Sequence, residues 1–279
     1  MRFKFSLKKS ISWVLLVIAI SPVVYLFSSQ LGIADPSSES APSTGGMTLD
    51  TRFVENVAFG VGEKFTFDVN YGFINAGTAT MEVASLVEFE ERPSYQIVTR
   101  ANSNDFFSGM FKVDDRVESI MDAAGLFSWR FEKRLREGGY SNDRVYVFDQ
   151  RNFTVDYEDS LYTLEPFSQD ALTSLYYVRT QPLQVGKSVF MDSFVDGKIL
   201  KLEVKVVKKE KITVDAGTFN CFVVEPLTAA VGVFKNEGKI TIWLTDDYLR
   251  MPVLMKSKVL IGSISAELTK YSLGEISEF

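Results

Sequence analysis

Lys64-Phe65-Thr66-Phe67-Asp68-Val69-Asn70-Tyr71 alternates polar and apolar side chains without a break, and Gly72 closes the run. A period of two puts Phe65, Phe67, Val69 and Tyr71 on one face of an extended chain and the polar residues on the other, the pattern of a half-buried strand. The same period returns in Leu200, Leu202, Val204 and Val206, in Ile240, Ile242 and Leu244, in Val253, Met255, Val259 and Ile261, and in Ile264, Ala266 and Leu268. Clusters of Gly, Asn and Asp separate the runs: Gly72 to Gly77, Asp122 to Gly125, Gly138 to Asn142, Asp196-Gly197 and Gly262. Links this short favour antiparallel meanders, because parallel neighbours need long crossovers. The expected fold is mainly β, a large curved antiparallel sheet or partly closed β-barrel of about 11–14 strands.

One segment breaks the rhythm. Between Gln169 and Thr180 the residues Leu172, Leu175, Tyr176 and Arg179 fall at helical spacing, and Pro182 closes the run. Ser168 is placed to cap the start, and Asp170 lies where the helix dipole favours negative charge. The apolar stripe of a three-turn helix must be buried, so this one is expected to plug a barrel mouth or cover the open face of the sheet. It is the one helix expected in the extracytoplasmic domain.

The strands also recur in sequence. Gly62-Glu63-Lys64 opens a block that reaches Gly109-Met110-Phe111-Lys112, and Gly186-Lys187-Ser188 opens one that reaches Gly232-Val233-Phe234-Lys235. An internal duplication of 62–122 in 186–247 would make the domain from two similar meanders joined through the helix.

Ahead of this domain, Arg2, Lys4, Lys8 and Lys9 precede an apolar run from Ile11 to Phe27. Basic residues followed by an apolar stretch is the order of an export signal. At about 17 residues the run is long for a signal core and at the lower edge of a membrane-spanning helix. Residues 1–27 therefore read as a signal peptide or an uncleaved membrane helix. With basic residues before the run and none between it and Arg52, an anchor would leave the bulk of the chain outside. Residues 28–58, rich in Ser, Pro and Gly, read as a flexible linker to the β-rich domain at 59–279. The expected location is the cell envelope on its periplasmic side, either tethered to the inner membrane or released into the periplasm.

Composition removes several functions. The chain carries a net charge of −6, which does not suit a nucleic-acid partner. It has no histidine, so a Ser-His-Asp or Cys-His catalytic set and an imidazole-ligated metal are both impossible. Its single cysteine, Cys221, excludes an intramolecular disulfide and a Cys-based zinc site, and reads as a buried packing residue. No metal, cofactor or catalytic residue is assigned from the sequence.

The polar groups that draw the eye are Asp114-Asp115-Arg116 and Asp246-Asp247 with Arg250. Two carboxylates about 5–10 Å apart can cleave a glycosidic bond. Adjacent residues of a strand, however, point to opposite faces, and Asp246-Asp247 after Trp243-Leu244 suits a strand-ending turn. Only Asp115 and Asp247 together, brought near by the repeat, would make such a site. Trp243 lies on the face of its strand opposite Ile240, Ile242 and Leu244, and either packs or contacts a ligand. Phe106, Phe107, Phe111, Trp129 and Phe131 pose the same choice. The candidate binding residues are accordingly Trp243, Asp247, Arg250, Asp115 and Phe111. Lys205, Lys208, Lys209 and Lys211 form the densest basic run, at the expected tip of a hairpin over Leu200 to Val214, and read as protection of an exposed strand edge, with contact to an anionic headgroup as the alternative.

Several strings in order resemble an exported bacterial family, domain of unknown function 3108. They are Val61 to Phe67, Tyr71-Gly72-Phe73-Ile74-Asn75-Ala76-Gly77-Thr78-Ala79, Tyr176-Tyr177-Val178-Arg179, Ala216-Gly217-Thr218-Phe219, and Trp243 to Asp247 followed by Pro252-Val253. The resemblance covers Phe59 to Tyr271 and implies an envelope location and a β-rich fold. It carries no catalytic residues.

The expected function is that of a non-enzymatic envelope protein holding an apolar ligand or lipid, or an extended peptide, in a curved sheet. Two alternatives stand beside it: an envelope scaffold that pairs with another protein through a sheet edge, and a carboxylate-dependent enzyme acting on glycans.

Overall fold

The computed structural model describes Leu49 and residues 52–228, 240–258 and 262–277. The N-terminal signal or membrane segment, and Val259 and Ile261, lie outside the described residues. Among those described, no helix is long and apolar enough to cross a membrane.

Strands β1 (Lys64–Tyr71), β2 (Ile74–Phe89), β3 (Arg92–Ser103), β4 (Asp114–Asp122), β5 (Ser128–Glu137), β6 (Tyr140–Asp149), β7 (Thr154–Tyr157) and β8 (Ser160–Thr163) follow one another as a meander. A second meander contains β9 (Ser188–Val195), β10 (Lys198–Val214), β11 (Gly217–Thr228), β12 (Ile240–Thr245), β13 (Pro252–Lys258) and β14 (Ser263–Ser272). The two join through antiparallel β1 and β14, giving one sheet of 14 strands in the order β8-β7-β6-β5-β4-β3-β2-β1-β14-β13-β12-β11-β10-β9. The first and last strands therefore sit side by side mid-sheet. The middle of the chain, from β8 to β9, spans the two free edges. Among the described residues no ladder pairs β8 with β9, and on its free side β9 meets only Gln169 through a single parallel bridge, so the sheet curls without closing.

The alternation does what its period dictates. Phe65, Phe67 and Val69 of β1 are at most 1% exposed, and Met81, Val83, Tyr95 and Ile97 join them on the concave face. A smaller cluster on the convex face gathers Ile120, Phe127 and Trp129 under Leu49 and Phe167. Among the described residues, three two-residue turns have both central residues at positive φ: Glu90-Glu91, Glu158-Asp159 and Asp196-Gly197. That geometry matches the twist of paired strands. Only Asp196-Gly197 carries the residue types that announce it.

The openings of the two meanders share one local arrangement, while 232–235 at the end of the second sequence block lie outside the described residues. Gly62 and Gly186 have φ of 89° and 84°, and their amides donate to Val83 O at 2.9 Å and Val206 O at 2.8 Å. Val83 and Val206 in turn donate to Glu63 O and Lys187 O, each at 2.9 Å. The ladder slips between Val83 and Ser85 in one meander and between Val206 and Lys208 in the other.

Helix α1 (Asp105–Ser108) is a single turn that the periodicity does not announce; the side chain of Asn104 caps it. Helix α2 (Ala171–Thr180) is the expected helix, with a correction at its start. Asp170, not Ser168, is the N-cap: its carboxylate accepts from Leu172 N and Thr173 N at 2.7 and 2.9 Å, while Thr173 Oγ1 accepts from Asp170 N. Ser168 turns away and donates to Glu165 O at 2.6 Å. Eight residues of α2 are buried, so it fills the concave side rather than lying across it as an amphipathic lid. At its C-terminal end Arg179 reaches Glu63 with two bonds of 2.7 and 2.6 Å and also donates to Ala58 O and Leu249 O. The lysine-rich stretch proves to lie along one 17-residue strand, β10, and not at a hairpin tip. Lys208 and Lys209 pair there with Glu210 and Asp246.

Candidate functional site

The five candidate residues fall in separate places. Trp243 is half-buried on the convex face, where its indole N–H donates to Glu210 Oε2 at 3.1 Å and Lys256 lies over its ring. Asp247 is consumed by its own turn, accepting from Thr245 Oγ1 at 2.6 Å and from the amides of Leu249 and Arg250 at 3.0 Å. The guanidinium of Arg250 stacks over Phe222. Phe111 packs at the edge of the main core, its ring filling the space beside Gly138.

Asp115 points into the interior and is 4% exposed. It accepts from Arg136 N at 2.7 Å. Its acidic neighbour is Glu137 of β5, 2% exposed, and not Asp247, which lies six strands away along the sheet. Burial pushes Asp115 up to about 6 and Glu137 up to about 8, since two buried carboxylates this close share one proton more readily than they both ionise. Glu137 Oε1 has no hydrogen-bond partner among the described residues. Sequence reasoning missed Glu137 because a carboxylate at a strand end reads as a solvated turn residue.

The concave interior holds a different cluster where the free ends of the sheet overlap. Phe194 of β9, 1% exposed, meets Tyr146, Phe148, Tyr157 and Tyr162 with ring centroids 5.9, 6.3, 5.9 and 5.2 Å away. Tyr146 and Tyr157 stack at 4.7 Å, and Phe131 packs edge-on to Tyr146 at 5.2 Å. The β9–β10 corner thus lies against the inner face of β5 to β8. Asp196 at this corner pairs with Lys133 of β5 and accepts from the Tyr146 hydroxyl. Burial, followed by the Asp196 charge, pushes the Tyr146 phenol well up. Gly197 lets the corner pass close: a Cβ there would stand 3.3 Å from the Tyr157 ring.

A cavity of about 10 Å³ lies beside this cluster, lined by Val117, Phe131, Lys133, Leu135, Ala171, Val195 and Asp196. That is room for about one water. Sequence reading had singled out Phe131 and the Asp196-Gly197 turn separately, but nothing in their spacing brings them together. Among the described residues no three His, Cys, Asp or Glu side chains converge to hold a metal ion.

The family described as Protein of unknown function (DUF3108) matches residues 66–269, well over half of the chain. The chain belongs to this family. Among solved structures, the DUF3108 chain shares its fold with a β-barrel-like protein of domain of unknown function DUF1849 from Brucella abortus. The TM-score is 0.51 at 12% identity, over 78% of this chain and all of that one. A candidate exported protein with a YmcC-like fold from Bacteroides fragilis covers 79% of the DUF3108 chain and 99% of its own, at 14% identity and a TM-score of 0.30. A candidate lipoprotein from Parabacteroides distasonis covers the same shares, at 10% identity and a TM-score of 0.33. Scores at that level carry no argument about this chain. Among curated proteins none matches the DUF3108 chain at a significant level.

Proposed function

We propose that this protein is a non-enzymatic component of the cell envelope that takes up an apolar ligand at the overlap of its sheet ends. The observation that carries the reading is the overlap itself: an aromatic cluster and a small cavity meet where no backbone ladder joins β8 to β9. The rest of the described sheet is joined by continuous ladders, whereas here the free side of β9 is held by a single bridge to Gln169, with Gln169 N donating to Asp192 O and Phe194 N to Gln169 O, each at 2.9 Å. A ligand pocket for a molecule with an alkyl chain needs about 300 Å³ or more. Uptake therefore requires the β9–β10 corner to move off the inner face of β5 to β8. The envelope location rests on the basic-then-apolar N-terminus.

Native mass spectrometry on the protein isolated from its own compartment tests this. Added mass that disappears on denaturation supports uptake; a bare mass, with no binding of a fluorescent fatty acid, sinks it.

A specific observation favours a scaffold as the second reading. Phe73, Ile74, Phe106 and Met110 are exposed large apolar side chains on the β1–β2 turn and around α1, and Asn104 ties the two together through Asn75 O at 2.8 Å. A rigid apolar rim of this kind suits a protein partner. Recovery of one specific partner, lost on Phe73→Ser with Phe106→Ser, would move the weight to this reading.

A further inference from the structure

Lys133 is a buried cation in an apolar wall. It is 7% exposed, borders the cavity between Val117, Phe131 and Leu135, and its counter-ion is Asp196. The two partners belong to different meanders, Lys133 to β5 and Asp196 to the turn after the edge strand β9. Asp196 rides on the two-residue corner between β9 and β10, which meets β5 and β6 through Lys133 and Tyr146, while the strand leading into it is tied to Gln169 by Asp192 O and Phe194 N at 2.9 Å each.

Stability alone gives no reason for this pair. Desolvating a lysine and an aspartate offsets most of their attraction, and an apolar pair of similar volume would close the overlap as well or better. The pair does impose a condition on opening. When the β9–β10 corner swings away, Asp196 leaves with it and Lys133 is stranded, charged, beside an apolar cavity. An occupant with an apolar body and no charge would fill the space and leave that cation unpaired. An occupant carrying its own anion would replace Asp196.

Resting on the reading of apolar uptake above, we infer that the ligand is an anionic single-chain amphiphile, with its acid group paired to Lys133 and its chain against Phe131, Tyr146 and Phe194. Asp196 is the internal stand-in for that acid group in the closed chain. The hydroxyl of Tyr146, which donates to Asp196 in the closed state, is positioned to donate to the ligand's acid group.

The test uses the full chain in its own membrane vesicles and two photoreactive probes, palmitic acid bearing a diazirine and the corresponding alcohol. After illumination, labelled peptides covering β5–β6 and β9–β10 are quantified by mass spectrometry. The wild type is expected to take the acid over the alcohol by about tenfold or more. Lys133→Met, which keeps the volume and removes the charge, abolishes the preference while the alcohol still labels. Asp196→Asn removes the competing carboxylate and strengthens labelling by the acid. Equal labelling by acid and alcohol in the wild type, or a preference that survives Lys133→Met, overturns the inference and leaves apolar uptake standing. Labelling of these strands by neither probe overturns both.

Discussion

Arg179 is fully buried, and so is the carboxylate that faces it. Its guanidinium also lies over Phe59, Phe65 and Tyr176, with centroid distances of 5.3, 5.4 and 5.1 Å. One side chain thereby ties the end of α2 to β1, to the segment before it and to the turn after β12. Glu63→Gln leaves the cation without its counter-charge and is expected to cost about 3–5 kcal/mol, read by urea denaturation. Replacing both partners, Glu63→Leu with Arg179→Met, should recover much of that loss; a double variant as unstable as the single one would contradict a charge-pairing origin. The Asp115–Glu137 pair makes a second residue-scale prediction. Both groups titrate above the ordinary carboxylate range, chiefly because they are buried, with the charges of Asp114 and Arg136 acting on Asp115 in opposite senses. The folded chain then holds protons that the unfolded chain has released. Stability from this pair is greatest below the ordinary carboxylate range, near pH 4, and is lost as pH rises through about 6 and about 8. Glu137→Gln keeps a donor to Asp115 and removes the titration at about 8, leaving only that of Asp115. It should raise stability at alkaline pH by about 1 kcal/mol, or ~2–4 °C in Tm for a domain of this size, and flatten the pH profile of Tm. An unchanged profile would rule the pair out as its source.

At the scale of the element, the turns and caps show where local chemistry agrees with the fold and where tertiary pairing overrides it. Glu90 and Glu91 link β2 to β3 with φ of 51° and 62°, a conformation that costs an L residue about 1–2 kcal/mol. They hold it because twelve residue pairs of the β2–β3 ladder fix the register on either side. Glu90→Asn with Glu91→Gly supplies the preferred pair for such a turn and should stabilise the domain by about 1 kcal/mol, measured as a rise in the denaturant midpoint. A fall would mean that the long strand, rather than the turn, sets the geometry. Helix α2 was legible from Leu172, Leu175, Tyr176 and Arg179, but its cap was not. Ser168 and Asp170 are both good capping types, and what chose Asp170 is the inner wall. Ser119 of β4 donates to Asp170 Oδ2 at 2.5 Å, and Ser128 Oγ accepts from Asp170 N at 2.6 Å. Those partners lie more than 40 residues away in sequence, beyond the reach of any local signal.

For the whole molecule, the order of strands places the weak point. β1 and β14 pair mid-sheet, while β7 and β8, four residues each, end one edge and β9 ends the other. Native-state hydrogen exchange should therefore show amides of β7, β8 and β9 opening at lower free energy than those of β1 to β3. Uniform protection across all strands would remove the overlap as the route into the interior. Sequence by itself determined the strand faces, the antiparallel links, the helix and the family resemblance, because periodicity and turn chemistry are properties of a few consecutive residues. It also singled out Gly62 and Gly186, which share a left-handed backbone and a like hydrogen bond to a partner strand. Trp243, Asp247 and Arg250 were prominent in sequence for their residue types, yet the fold spends them on the convex face and in a turn. Only the tertiary structure brought Lys133 and Tyr146 to Asp196, and Asp115 to Glu137. The physical reason is curvature: the bend of a sheet sums small twists over many strands, and no short stretch of chain records which distant side chains that sum will bring face to face.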